Sequence, residues 1–567
     1  MKSGVFFSLL VLALFCTCAG QGAEKKFPYR WTYMSRSLNN DSHVKEIAEI
    51  AKTCSEHGLN GILLSCGADR LDIQGPDYKR RLKEVKEICD GLGVEIIPSV
   101  FSIGYGGSVL AHDRNLAAGI PVRDALFVVK NSQARIAADP PVSISNGGFE
   151  SFKGESAVGF DSPERFGEVI SRDRETVKQG KSSLRFENFG DYPAEAGRLS
   201  CEIAVHPNRL YRMSCWVKSE GMDPSRPFGS GNLRLQATAP DGRPLEWINV
   251  NMPPSADWVE VVEGFNSKDC DKVIISVAPS REQSGKFWLD DLKIEEIGMV
   301  NLLRRPGTPV SVRGEKSGTV YEEGRDYAEL IDPELNSRFG HDSPAIKLLP
   351  GSRITEGECL RVSFYHGTHV YDSQTTICMS EPEIYEIWRT NARLIHEHLT
   401  PNKYFFHMDE IRAGGTCKAC KDRNLSMAQI LGDCITKAHD IVREVNPQAE
   451  IFIWSDMIDP IHNGSDRRPY YYHVDENYYG SWNYIPKDLI IACWWHKMRN
   501  ESLAHFSGLG YRTVGASYYD ADDLENPKDW LESLDNTPLA KGIIYTTWLN
   551  KYDLLDDFGD LVTGHWK

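Results

Sequence analysis

Residues 60–101 read "NGILLSCGADRLDIQGPDYKRRLKEVKEICDGLGVEIIPSVF". A short apolar run comes first, then a charged stretch with apolar residues at helical spacing, then a second apolar run. That order is β-α-β. Upstream, "RWTYMS" (30–35) is strand-like, and "HVKEIAEIAKTCSEHG" (43–58) is an amphipathic helix that closes on Gly58. Together these make βαβαβ, the pattern of parallel strands joined by crossover helices.

The rhythm breaks downstream. From about 145 to 297 the chain is all-β, with "LSCEIAV", "LYRMSCWVKS", "NLRLQATA", "KVIISVAP" and "KFWLDDLKIEEI" separated by turn residues, as in a sandwich. Residues 298–370 are again β-rich. Helix and strand alternation resumes at "EPEIYEIWRTNARLIHEHL" (381–399). Strand candidates start near 30, 60, 94, 404, 451, 489, 511 and 542. Eight such units predict an α/β fold, a (β/α)₈ TIM barrel, with an inserted β-sandwich of jelly-roll type. The barrel would use 24–140 and 371–567, the sandwich 145–297 and an accessory β-segment 298–370. An open doubly wound sheet is the competing topology, but no G-x-G-x-x-G or Walker loop supports it.

The chain has 567 residues and a net charge of −16, which argues against a nucleic-acid partner, since phosphate binding needs a basic surface. Lys2, an apolar run over 5–15 and small residues around 17–19 read as a signal peptide, 1–19. The run is too short to span a bilayer, and no later segment reaches that length. The mature protein is therefore expected outside the cytoplasm, periplasmic or extracellular, without a membrane span. The lipobox around Cys16 and Cys18 fits poorly.

In a barrel of this kind chemistry sits at the C-terminal strand ends. Strand 4, "YFFHM" (404–408), ends in Asp409 and Glu410. Strand 5 ends in Trp454, Ser455 and Asp456, and strand 6 in Trp494, Trp495 and His496. Strand 7 ends in Tyr518, Tyr519 and Asp520, and strand 8 in Trp548 and Asn550. Aromatic faces beside carboxylates suit a sugar ring, whose C–H face packs on a flat apolar surface while its hydroxyls need polar partners. A single strand-terminal Trp is more often packing, and adjacent acids are by default a solvated loop. The repetition over several strand ends turns the reading toward a glycan site. Adjacent acids are poorly placed as an acid and nucleophile facing each other across about 5 Å. They suit another division of labour, in which one protonates the leaving oxygen and the other supports a nucleophile carried by the substrate.

The strand order and these residues resemble glycoside hydrolase family 20, the β-N-acetylhexosaminidases. "ICMSEPEIYEIWRTNARLIHEHLTPNKYFFHMDE" (377–410) is similar to that family's passage into strand 4, with His407, Asp409 and Glu410 on its His and acid pair. The two glycines of the family motif are missing. The resemblance implies that Arg30 binds ring hydroxyls, that Tyr518 holds the acetamido oxygen, and that Asp520 takes a hydroxyl. It implies that Trp548 is a pocket wall and His112 a loop histidine. Asn550 stands where the family has Glu. The implied reaction is retaining, exo-acting and substrate-assisted: Asp409 orients the 2-acetamido group, and Glu410 is general acid, then base. No cofactor is required for it.

A second enzyme reading pairs Glu410 with Asp456 or Asp520 on a sugar without an acetamido group. A third makes the chain a non-catalytic carbohydrate-binding protein. The opening "SNGGFE" (145–150) and closing "FWLDDLKIEEI" (287–297) of the insertion resemble carbohydrate-binding modules, with Asn146, Glu150 and Asp291 as candidates for a structural calcium. Of fourteen cysteines, Cys417 and Cys420 form a C-x-x-C with Cys434 as the near partner in sequence. Without further ligands nearby, thiols or a disulfide are expected there, and no metal.

Overall fold

The computed structural model describes residues 27–163, 166–189, 197–223, 232–279, 284–370, 374–467 and 472–565. The signal-peptide expectation lies outside these residues. Eight parallel strands close into a barrel. They are β1 (Tyr29–Ser35), β2 (Gly61–Ser65), β3 (Glu95–Val100), β4 (Lys403–Phe406), β5 (Glu450–Trp454), β6 (Ile490–Cys493), β7 (Arg512–Tyr518) and β8 (Ala540–Thr546). β1 and β8 complete the ring with Tyr29 opposite Gly542. Among the described residues, seven helices of ten residues or more surround it, α1 (Asp41–Glu56), α2 (Pro76–Leu92), α3 (Pro382–Leu399), α4 (Met427–Val445), α5 (Arg499–Gly508), α6 (Glu525–Asp535) and α7 (Leu555–His565).

Alternate strand residues face inward. Tyr29, Trp31, Tyr33, Leu63, Ile97, Phe405, Phe452, Trp454, Ala492, Val514 and Ile544 fill the interior as one cluster. The N-terminal end is plugged by charge. The Tyr29 hydroxyl donates to Glu450 at 2.7 Å, Arg512 reaches the same carboxylate at 2.6 Å, and Lys403 meets Glu95 at 2.5 Å. Entry to the barrel is thus confined to its C-terminal end. A larger shell, including Leu64, Ile96, Tyr404, Phe406 and Ile491, packs outward against the helices.

The insertion between β3 and β4 is nested. A six-stranded sheet takes Ile120–Lys130 and Gln133–Ile136 from before the sandwich, and Ser311–Gly314, Val320–Tyr321, Ile346–Lys347 and Cys359–His366 from after it. Residues 120–136, expected within the first barrel segment, belong to this sheet instead. They form a β-hairpin whose longer strand pairs along Cys359–His366, a partner too distant in sequence to be read locally. The sandwich hangs from this sheet. Its five-stranded layer is Ala256–Asn266, Leu210–Glu220, Lys286–Glu296, Ser183–Phe186 and Ile170–Asp173. Its four-stranded layer is Leu199–Ala204, Lys272–Pro279, Leu233–Thr238 and Pro244–Val250. Leu210–Glu220 alternates buried and partly exposed residues, as a strand over a core must.

The three bodies meet through buried polar side chains. Arg209 lies 3.1 Å from Glu296 and donates to the Asp124 carbonyl at 2.8 Å. Glu246 of the sandwich stands 3.6 Å from His473, in the loop after β5, and burial pushes its carboxyl up to about 8. His473 in turn pairs with Ala413 in the loop that follows the two acids. The candidate calcium oxygens have other partners. Asn146 Oδ1 accepts from the N–H groups of Glu150 and Ser151, Glu150 from Lys181 N–H at 2.7 Å, and Asp291 pairs with Lys293. Among the described residues no helix is long and apolar enough to cross a membrane.

Candidate active site

β4 ends at Phe406, and His407 still points inward by its parity. His407 Nδ1 meets Ser99 Oγ at 3.0 Å, and Nε2 stands 3.2 Å from Asp409 Oδ1. Burial alone would lower the imidazole, but the Asp409 charge, helped by Asp69, leaves it raised. The His407 ring beside Asp409 helps to fix where that carboxylate points.

Glu410 is the turning point of the loop. Its φ is 47°, a left-handed conformation uncommon for a residue with a side chain. Asp456 supports that conformation, since its Oδ2 accepts the Glu410 N–H at 2.6 Å. Asp456 Oδ1 accepts from Asn463 at 2.6 Å and lies 3.1 Å from His462 Nδ1. The Gln374 amide donates to the Glu410 carbonyl at 2.8 Å. From the β3 side, the backbone at Gly104 presses on the same turn. A Cβ there would lie 2.2 Å from the Asp409 carbonyl oxygen, so only glycine fits. The twist brings two sequence-adjacent carboxylates to one rim, which an extended strand would point to opposite faces.

The Glu410 carboxylate is held by Arg412 at 2.9 Å and receives the Tyr105 hydroxyl. Burial raises its pKa, Arg412 pulls back, Asp409 and Asp456 push it up further, and Tyr105 lowers it; the balance is upward. A carboxyl raised in this way holds a proton at higher pH than a solvated glutamate, as a general acid must.

The aromatics divide into two groups. Trp454 is 2% exposed and packs on Phe405 at 4.6 Å, so it is floor rather than platform. Trp548 is half-buried at the mouth, 5.2 Å from Tyr33 and 6.2 Å from Trp454. Trp494 and Trp495, also half-buried, both stand 4.9 Å from His462 and continue the wall beyond Asp456.

Several sequence expectations do not fit this site. Arg30 is the second residue of β1 and lies at the opposite, plugged end. Its guanidinium donates to the Gly58 and Phe27 carbonyls, so it cannot meet a sugar at the mouth. Tyr518 is 1% exposed and stacks on Tyr545 at 4.0 Å. Its φ of 88° breaks the strand alternation and turns it into the outer shell. Asp520 spends its oxygens on the β8 loop, accepting from Thr547 and from the N–H groups of Trp548 and Leu549 at 2.9 and 3.2 Å. His112 donates to the Ser108 carbonyl at 2.9 Å and faces Asp72 at 2.9 Å, which places it in the support of the β3 loop. Asn550 accepts from Arg36, just past β1, so an arginine does stand at the right end of the first strand, six residues after the expected one.

Sequence reasoning missed Tyr105, Arg412 and Arg36. Arg412 follows Glu410 by two residues, and a cation that close to a buried acid was a readable signal. Tyr105 had a weaker one, a lone aromatic in the glycine-rich "GYGG" after β3. The C-x-x-C is also richer than its spacing suggested. Its third partner is Cys378, far upstream in sequence, rather than Cys434, and all three sulfurs lie together.

No protein-family model matches the chain, and no curated protein matches it in sequence. Solved structures do align. A β-N-acetylhexosaminidase from Bacteroides fragilis NCTC 9343 is 8% identical, with a TM-score of 0.36, over 95% of this chain and 66% of that one. A rhamnosidase from Novosphingobium sp. PP1Y is 11% identical, with a TM-score of 0.31, over 92% of this chain and 55% of that one. The CBM22-1 xylan-binding domain of Xyn10C from Paenibacillus barcinonensis is 16% identical, with a TM-score of 0.19, over 29% of this chain and 99% of that one.

Proposed function

We propose that the protein is a retaining, exo-acting glycoside hydrolase that cleaves β-N-acetylhexosaminides by substrate-assisted catalysis. The observation that carries this reading is the state of the carboxylates at the mouth. Asp409 and Glu410 share one rim, and the other two candidate acids, Asp456 and Asp520, already accept hydrogen bonds on both oxygens. A two-carboxylate mechanism would have to draw its second partner from Asp456 or Asp520, both of which already serve the loops around them. In the proposed reaction the substrate's acetamido oxygen attacks the anomeric carbon. Asp409, oriented by His407, holds the acetamido N–H and stabilises the positive charge that develops on it. Glu410 gives its proton to the leaving oxygen, then takes one from the incoming water. Trp548, with Trp494 and Trp495, supplies the apolar walls. Recognition of glycans by the sandwich and export directed by the N-terminal segment belong to the same proposal.

The test is a panel of aryl glycosides with and without the N-acetyl group, together with a thiazoline that mimics the bicyclic intermediate. Hydrolysis restricted to N-acetyl-β-hexosaminides, with competitive inhibition by the thiazoline, is the expected result. Turnover of plain hexosides without thiazoline inhibition would overturn the mechanism.

A further inference from the structure

Cys378, Cys417 and Cys420 come from two separate stretches of chain and meet in the interior, each no more than 4% exposed. Cys378 precedes α3, and the other two follow the acid-bearing loop. Their sulfurs form a nearly equilateral triangle, with edges of 3.5 Å (378 to 417), 3.7 Å (378 to 420) and 3.7 Å (417 to 420). A disulfide needs about 2.05 Å between sulfurs, and it would leave the third thiol over. Tetrahedral thiolate ligation at about 2.3 Å from the ion requires sulfur–sulfur edges of about 3.8 Å. The observed triangle is close to one face of such a tetrahedron.

The surroundings suit thiolates. Arg305 brings a guanidinium nitrogen to 4.0 Å from the Cys417 sulfur, and it also donates to Glu381 at 2.7 Å, to the Ala117 carbonyl at 2.9 Å and to the Asn115 carbonyl. The Ser380 hydroxyl is buried beside Cys420. Among the described residues this is the one group of three or more metal-ligating side chains whose ligand atoms converge.

We propose that Cys378, Cys417 and Cys420 are the protein ligands of a structural zinc ion. Three soft thiolates in a closed, buried position select zinc over the hard cations. The ion would join the segment entering α3 to the loop that leaves Glu410, and so hold the stretch from Ile411 to Cys417 from behind. It takes no part in the chemistry, and its presence does not depend on which glycoside is cleaved.

The experiment is metal analysis of the full chain purified under reducing conditions without chelator. About one zinc per chain is expected, falling at least fivefold in Cys378→Ser and in the double variant C417S/C420S, since structural sites need their full thiolate set. Cobalt exchanged into the wild-type chain gives the thiolate-to-metal charge-transfer absorption, which reports the site without relying on a variant that folds. A wild-type chain that holds no zinc and takes up no cobalt after reduction overturns the proposal. So does zinc retained in both variants, or a disulfide between any two of the three cysteines in the peptide map of the purified protein.

Discussion

The ends of β4 and β7 look alike in sequence, "HMDE" and "YYD", and the structure treats them in opposite ways. Both leave the strand through left-handed residues, Glu410 at one and Tyr518, Tyr519 and Asp520 at the other. At β4 the twist brings both acids to the mouth, where Arg412 and Tyr105 engage the Glu410 carboxylate and His407 stands beside Asp409. At β7 the twist turns Tyr518 into the shell, and Asp520 ties down the β8 loop. An acid at a barrel rim is therefore not yet a catalytic acid. What distinguishes the two is what the oxygens meet: ionisable side chains and a phenol at β4, and the hydroxyl and backbone N–H groups of the next loop at β7.

Substitutions can break this contrast in order of effect. Glu410→Gln should lower kcat on an aryl N-acetyl-β-hexosaminide by about 10³-fold, the range of a lost general acid. Asp409→Asn should cost about 10²-fold and weaken thiazoline binding in parallel, because it removes charge stabilisation rather than proton transfer. Asp456→Ala, which frees the Glu410 N–H, should cost about 10-fold in kcat through misplacement of the acid. Asp520→Ala should leave kcat/KM within about threefold but lower stability by about 1–2 kcal/mol in denaturant melts, the cost of loop donors left without an acceptor. Equal losses of activity in the Asp409 and Asp520 variants would erase the distinction.

The raised pKa of Glu410 gives a prediction of smaller effect and definite sign. The unfolded glutamate titrates near about 4.3, so between that pH and its folded value the folded chain holds the extra proton. Its contribution to stability is whole below about pH 4 and is lost as pH rises through the folded pKa. Glu410→Gln should therefore melt higher than wild type at neutral pH and converge with it in acid. Tyr105→Phe removes a hydrogen bond that lowers this pKa, so the alkaline limb of kcat/KM should move upward.

The barrel was legible because its strands are short, buried and evenly punctuated. The eight expected starts fall within two residues of the observed ones, as with 404 against Lys403 and 542 against Ala540. The acids were legible for the same reason, since they interrupt an apolar run. What the sequence hid depends on contacts between distant segments. Arg30 was not hidden in this way: it opens its strand in the sequence and so already lay at the N-terminal end, and only the family resemblance carried it to the mouth. Nothing local assigns 120–136 to a sheet completed after 310, or puts Cys378 beside Cys417. The inward parity that would have put Tyr518 in the pocket fails because three successive residues have positive φ, which only the packed turn selects.

The nested insertion also bears on how the barrel can assemble. β3 and β4 are neighbours, and Phe405 pairs with Ser99, yet the chain between them runs through an entire sheet and sandwich. The ladder between Ile120–Lys130 and Cys359–His366 lies across the throat of that excursion. Once it forms, the span left to close shrinks from about 300 residues to about 55, which recovers roughly 1.5 kcal/mol of loop-closure entropy. The accessory sheet is thus a fastener for the barrel's widest gap. Its pairing should precede barrel closure in folding, although none of its strands enters the ring.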